Sequence, residues 1–568
     1  MNSINTKRNL SCCGCMAVVF LLLLYFCLQK EGTFLDELLT YDLSNRHSPR
    51  VEFIVSHLTH NPPSVLINDL QDILENGKEN SRIYKDFKSW EQAGMETSVW
   101  HQPTYFASFL EVEKGSRFDF LSVLYNSIYN SSPPLYYHLV HLICSLFPET
   151  FSLWYGLIIN LVFMLLSCLL LYRLAEKYCG GMKYAWLITL CYVLSIGGIS
   201  TLLIIRMYAI YTFFILAFLS INLQIVKQGF TLTRRTTTAY ILCAVLGFYT
   251  QYYFIIYAGL LAALLFLFLL LEKKNPLSYL KASLAAGLIS LVVWPFSVKH
   301  IFFDSFGAST FQTAASGHFL PRLWAYIQVA AEALFVGQPW LLLLVFLLLA
   351  VGFIWMLCLI KKGRLPAPTG ISRLLPVLLF IPSVGYFCLT ALSAPFISDR
   401  YIMCIFPILL LGMLGGGRYL LNSLSVFSGK NIRILPLLAA ASILITSLGL
   451  TLVEKNYVYS ERRERNKLLT DAENTAFIYV SEKNGWQYKS CLDLMSRCRK
   501  TAVILPEQIP QLSDGYPPSA EQTLVGINRS FNQRQILSEI IQSCSLEGKR
   551  IVSLPGESDD YTEMFLIQ

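Results

Sequence analysis

Apolar runs of about twenty residues recur between positions 150 and 453, and they constrain the fold more than any other feature of the chain. As a helix, such a run reaches about 30 Å, the hydrocarbon thickness of a bilayer. Inside a bilayer every backbone N–H and C=O must find its partner within the protein, which leaves helices or a closed barrel. The strict alternation of a barrel strand is missing. Composition agrees: 54% of residues are hydrophobic and 14% charged, with mean hydropathy +0.49, whereas a soluble chain carries about 25% charged residues. The fold class expected is an all-α polytopic membrane protein. The net charge of +8 is no nucleic-acid signal, because the basic residues stand in short clusters between the apolar runs.

Those clusters set an orientation, since basic residues gather on the cytoplasmic side of spans. Lys7 and Arg8 precede a run over 12–29. No small-x-small cleavage site ends that run, where Phe26, Cys27, Leu28, Gln29 and Lys30 stand, so it is expected to be a retained first helix with a cytoplasmic N-terminus. Later clusters are Arg173/Lys177/Lys183, Lys227/Arg234/Arg235, Lys273/Lys274/Lys281, Lys361/Lys362/Arg364/Arg373 and Lys430/Arg433. Spans over 151–172, 185–205, 207–226, 238–252, 253–271, 283–299, 338–360, 374–396, 401–421 and 434–453 put all five on the cytoplasmic side and, with the first helix, make about eleven. The C-terminal region then lies outside the cytoplasm. The apolar stretch 133–147 spans only about 22 Å as a helix, too short to cross, and is expected as a juxtamembrane or re-entrant helix. The stretch 319–336, which carries Arg322 and Glu332, reads as interfacial.

Two regions face water. The outer loop, 30–132, mixes apolar and charged residues at helical spacing in VLINDLQDILENGK, the pattern of a packed helical cap. The tail, 454–568, reads as a small α/β accessory domain: TAFIYV, KTAVILP, QTLVGIN and KRIVSLP are strand-like, and SCLDLMSRC and QRQILSEIIQSC are helical between them. Residues 1–453, loop included, form the other expected domain. Cys491, Cys498 and Cys544 make an odd set, open equally to a disulfide or to buried thiols. The spans hold few ionisable groups, which speaks against an ion path through the bilayer and for work at the outer surface.

Several motifs stand in order along that outer surface. GTFLDELLTYDLSN places Asp36 and Glu37 about seven residues past the first helix. NSSPPLYYHLVHLICSLFP carries Pro133, Pro134, Leu135, Tyr136 and Tyr137 at the end of the loop. RMYAIY supplies Arg206 and Tyr208, and SDRYIMCIFP supplies Arg400 and Tyr401. Over roughly residues 12–425 this order resembles the GT-C superfamily of integral-membrane glycosyltransferases, in particular bacterial relatives of protein O-mannosyltransferases and aminoarabinose transferases. The resemblance implies sugar transfer, with inversion, from a polyprenyl-phosphate donor to an extracytoplasmic glycan, lipid or protein acceptor at the cell envelope. Many relatives carry Asp-x-His before the double proline; here Asn130 and Ser132 stand there, so the sequence supports no divalent metal.

The chemistry of the residues points the same way. Transfer to a hydroxyl or amine needs a base, and Asp36 at the membrane surface is the candidate, with Glu37 as second catalytic carboxylate or orienting group. A departing phosphate needs cationic donors, and the planar forks of Arg206 and Arg400 suit it, although an arginine at an outer helix end can also snorkel to headgroups. Tyr136, Tyr137, Tyr208 and Tyr401 are candidate cavity residues. Lys299, His138, His141 and the stretch 249–252 are weaker candidates. Competing readings are a transporter or flippase of lipid-linked glycans, and a catalytically silent GT-C relative.

Overall fold

The computed structural model describes residues 2–76, 80–93, 99–335, 338–362, 371–428, 463–483, 485–558 and 561–568. They form two compact units, one built from Met1–Lys30, Asn130–Tyr136 and Trp154–Ser460, the other from Glu31–Tyr129, Tyr137–Leu153 and Glu461–Gln568. Residues 31–129 of the outer loop fall in the second unit together with the tail.

The first unit is helical, and the chain is a multi-pass membrane protein. Among the described residues six helices are long and apolar enough to cross a bilayer: Asn5–Leu28, Trp154–Tyr178, Tyr208–Lys227, Phe254–Leu271, Leu342–Lys361 and Leu374–Ser393. Two expected spans are bent pairs, Met182–Val193 with Ile196–Leu203 at 61° and Leu277–Val293 with Ser297–Ala315 at 95°. One more is short, Arg234–Phe248 with 15 residues, and the span expected over 401–421 falls on the 3-10 turn Met403–Ile405 and the helix Phe406–Ser428. The span expected over 434–453 lies outside the described residues.

Local chemistry explains the bends. Ser195 accepts from the backbone N–H of Gly198 at 3.0 Å, capping a new helix start. Gly198 has no room for a side chain there, since a Cβ would stand 2.0 Å from the carbonyl oxygen of Tyr192. At the second bend Pro295 follows Trp294, and a proline disfavours helical geometry in the residue before it.

Polar contacts join basic segments of this unit in pairs. Arg8 pairs with Glu176 at 2.7 Å, Trp186 donates to Ser11 at 2.9 Å, and Lys274 donates to the Gly229 carbonyl at 2.7 Å. The short helix expected near 133–147 is Leu135–Leu146, with 12 residues. The stretch expected as interfacial forms the helix Phe319–Phe335.

The second unit centres on a six-stranded sheet of β1 (Trp100–His101), β2 (Thr475–Val480), β3 (Lys500–Ile504), β4 (Gln522–Asn528), β5 (Ile551–Ser553) and β6 (Thr562–Ile567), in the order β1-β3-β2-β4-β6-β5. β2 runs parallel to β3 and β4, and every one of its side chains is buried, as befits a strand covered on both faces. β1 comes from the outer loop and pairs antiparallel with β3. Trp100, 5% exposed, enters the sheet core and donates its indole N–H to Leu512 at 3.0 Å. The four strands expected in the tail form, as do the helices Gln533–Ser543 and Pro63–Asn76. SCLDLMSRC yields only the turn of helix Leu492–Met495. Cys491, Cys498 and Cys544 are free, buried thiols.

Candidate functional site

In the second unit the helix Leu35–Asn45 carries both candidate carboxylates in its first turn. They point to different fates. Glu37 is fully buried, and its Oε2 accepts from the Phe34 backbone N–H at 3.0 Å. It thereby satisfies one of the orphan donors of its own helix start. Asp36 is half-buried, at a helix N-terminus where a negative charge is favoured. Thr40 donates to the Asp36 carbonyl at 2.9 Å, which holds the turn that bears it.

The rest of that helix is clamped. Tyr41, fully buried, donates to the Ser152 carbonyl at 2.9 Å and meets Phe151 edge-on at 4.9 Å between ring centroids. Lys489 pairs with buried Asp42 at 2.5 Å. Asn45 donates to the Leu110 carbonyl at 2.6 Å. Asp36 therefore sits on a rigid support. Tyr137 is fully buried.

The same unit holds two histidines in opposed environments. His47 meets Asp119 at 3.0 Å, which raises its pKa above the usual value despite partial burial. Burial would raise the Asp119 carboxyl, but hydrogen bonds from His47 and Ser122 outweigh it and hold it near 2. Burial pushes the imidazole of His141 down to about 4.

In the first unit Arg206 lies in the break between Ile196–Leu203 and Tyr208–Lys227, and Arg400 lies in the 3-10 turn Asp399–Tyr401. Both are within electrostatic reach of Tyr401, as is Arg322. Each is half-buried. Arg400 donates to the Ser398 hydroxyl at 3.1 Å. Arg322 donates to the carbonyls of Ala391 and Ala394, at the C-terminal end of Ile371–Ser393, where a cation offsets the helix dipole.

Tyrosines brace this cluster. Tyr401 packs on Tyr253 at 5.4 Å between centroids, and its carbonyl accepts from Tyr386 at 2.6 Å. Tyr136, fully buried, donates to Asn160 at 3.1 Å. Asn160 in turn donates to the carbonyls of Leu202 and Ile204, at 3.0 and 2.6 Å, just ahead of Arg206. Tyr208 and Tyr401 are 6% and 8% exposed, so all four candidate cavity tyrosines are packing groups first. Lys299 pairs with Asp304 at 3.5 Å, and buried His300 meets the Tyr252 hydroxyl at 2.6 Å.

Sequence reasoning missed Asn160 and Tyr41, whose importance lies in carbonyls they reach across the fold. A lone Asn in an apolar span is the one signal that marked the first of them. Among the described residues no group of three or more His, Cys, Asp or Glu is placed to hold a metal ion.

No family model matches the chain. No curated protein matches it either. Among solved structures it is similar to ArnT from Cupriavidus metallidurans bound to undecaprenyl phosphate, at 11% identity, 77% of this chain, 88% of that chain and a TM-score of 0.42. It is likewise similar to ArnT from Cupriavidus metallidurans in the apo state, at 11% identity, 77% and 87% coverage and a TM-score of 0.41.

Proposed function

We propose that the chain transfers a sugar from a polyprenyl-phosphate carrier to an extracytoplasmic acceptor, with Asp36 as general base and Arg206 and Arg400 on the donor phosphate. The observation that carries this reading is that Arg206 and Arg400 both stand at helix breaks of the spanning unit, each within electrostatic reach of Tyr401. Guanidinium forks gathered there suit a lipid phosphate better than a transported ion, because they bind it without a path across the bilayer.

The step balances as a displacement. Asp36 takes the proton from the acceptor hydroxyl or amine while that atom attacks the anomeric carbon. The bond from the anomeric carbon to the phosphate oxygen breaks, and its electron pair leaves on the phosphate. The arginines stabilise the charge that develops there. Attack opposite the leaving group inverts the anomeric centre. Glu37 supports the base by fixing the helix start rather than by moving a proton. The N-terminus is assigned to the cytoplasm, and the loop and tail to the other side.

Asp36→Asn tests the base. It exchanges oxygen for nitrogen and keeps the shape, so insertion and folding survive. General-base catalysis contributes about 10²- to 10⁴-fold, and turnover should fall by that much. Glu37→Gln should keep the cap, since a glutamine oxygen accepts the same backbone hydrogen bond, and cost turnover far less. The assay uses purified protein, a polyprenyl-phosphate sugar and a cell-envelope acceptor extract. Near-wild-type transfer by Asp36→Asn would remove Asp36 as base.

A further inference from the structure

A cavity of about 350 Å³ opens in the second unit, within the size range of small-molecule pockets. Its lining includes Thr33, Phe151, Ser152, Thr470, Asp493 and Arg497. We propose that this pocket binds one neutral sugar unit of a glycan acceptor; the word acceptor rests on the transferase reading above, whereas the sugar chemistry rests on the pocket.

The polar groups are built rather than incidental. Asp493 is 4% exposed. One of its oxygens accepts from Thr33 at 2.8 Å, the other from buried Arg465 at 2.8 Å and from the Leu494 backbone N–H at 3.0 Å. Arg465, 1% exposed, also grips Glu557. Thr33 has spent its proton on Asp493, so toward a ligand its oxygen can only accept. Asp493 keeps lone pairs to accept, and Arg497, exposed, supplies donors. A ligand must therefore offer both O–H donors and oxygen acceptors, which a sugar ring does.

Charge excludes the alternatives. Asp493 and Glu557 balance Arg465 and Arg497, so these four groups sum to zero. A phosphate would meet a fixed carboxylate, and an ammonium would meet a guanidinium. The Phe151 ring gives the C–H face of a sugar an apolar wall.

Position links the pocket to the candidate base. Thr33 is three residues before Asp36, so their Cα atoms are at most about 11 Å apart. Tyr41, on the helix that begins with Asp36, holds the pocket wall at Ser152. A glycan with one unit in the pocket reaches toward Asp36 with the next.

The test is saturation-transfer NMR on the full chain in detergent, with the methyl glycosides of glucose, galactose, mannose and arabinose, and with inorganic phosphate. At least one glycoside should bind saturably and phosphate should not compete. Arg497→Ala, an exposed change that leaves the fold intact, should weaken glycoside binding at least tenfold. Leu153→Trp, which fills the cavity from its wall, should abolish it; thermal melting checks both variants. In transfer assays Arg497→Ala should raise the acceptor KM and leave kcat nearly unchanged. Absence of glycoside binding to the wild type, competition by phosphate, or equal binding by both folded variants would overturn the pocket. Glycoside binding that follows these variants in a protein devoid of transfer would support the pocket and overturn the transferase reading alone.

Discussion

At the scale of single residues, side chains of like chemistry take opposed roles according to what surrounds them. Asp36 and Glu37 are adjacent, yet one closes its own helix start and the other stays half-open. Arg322 and Arg400 both approach Tyr401, yet Arg322 spends its donors on helix-end carbonyls, while Arg400 donates to the Ser398 hydroxyl. The donor-phosphate role of Arg400 separates cleanly from a headgroup anchor. Arg400→Ala should raise the donor KM strongly with the protein still inserted, and Arg400→Lys should restore only part, because it keeps the charge and loses the fork. Wild-type kinetics in both variants would leave Arg400 as an anchor. The histidines give a pH signature. His141, lowered to about 4, takes up its proton in the unfolded chain near the usual 6.5 but in the fold only near 4. Stability should fall as pH drops through that window, by up to about 1.4 kcal/mol per pH unit. His47, raised, works the other way: its contribution is complete below 6.5 and is lost as pH rises through its folded value. The contribution of Asp119 is present above about 3.9 and is lost as pH falls through about 2. His141→Phe should therefore flatten the loss of melting temperature between pH 6.5 and 4. An unchanged slope would mean that another group carries it.

At the scale of elements, the sequence was most legible where periodicity is strongest and least where a contact closes over a long separation. The long apolar helices, the four strands of the tail and the short Leu135–Leu146 helix are written in local hydropathy. The bend at Ser195 was not, because a capped break inside an apolar run leaves the hydropathy unchanged. β1 was invisible for another reason: Trp100–His101 has only two residues, and its strand character comes from β3, four hundred residues on. The carboxylate pair and the arginines could be named from the order of motifs that resembles a known family, but the capping of Glu37 and the bracing through Asn160 needed coordinates. Trp100 is the element to test. Burial of this indole joins loop and tail in one core, and Trp100→Ala should cost about 3–5 kcal/mol in the unit that contains it. A loss below about 1 kcal/mol, read by thermal melting, would mean that the loop only rests on the sheet.

At the scale of the whole molecule, what matters is which side of the membrane each unit faces. The assignment depends on which basic segments of the spanning unit lie beside one another. Arg8 beside Glu176 and Trp186 beside Ser11 join the first basic segment to that over 173–183, and Lys274 beside Gly229 joins the segments over 227–235 and 273–281. Each pairing is expected if these segments are cytoplasmic, and it needs an even number of crossings between the paired clusters. The bends and short helices matter for this parity, since a helix that turns back rather than crosses would flip everything after it. Cysteine labelling reads the parity directly. Leu74, Ser513 and Gln228 are exposed and lie in the loop, the tail and a basic turn respectively. In a background lacking the 15 native cysteines, Leu74→Cys and Ser513→Cys should react with an impermeant thiol reagent in intact cells. Gln228→Cys should react only after permeabilisation. Labelling of residue 228 without residue 74 would invert the protein and put Asp36 on the cytoplasmic face. Labelling of 74 without 513 would separate loop from tail by a membrane, which the shared sheet of β1 and β3 forbids; that result would overturn the fold of the second unit rather than the orientation of the first.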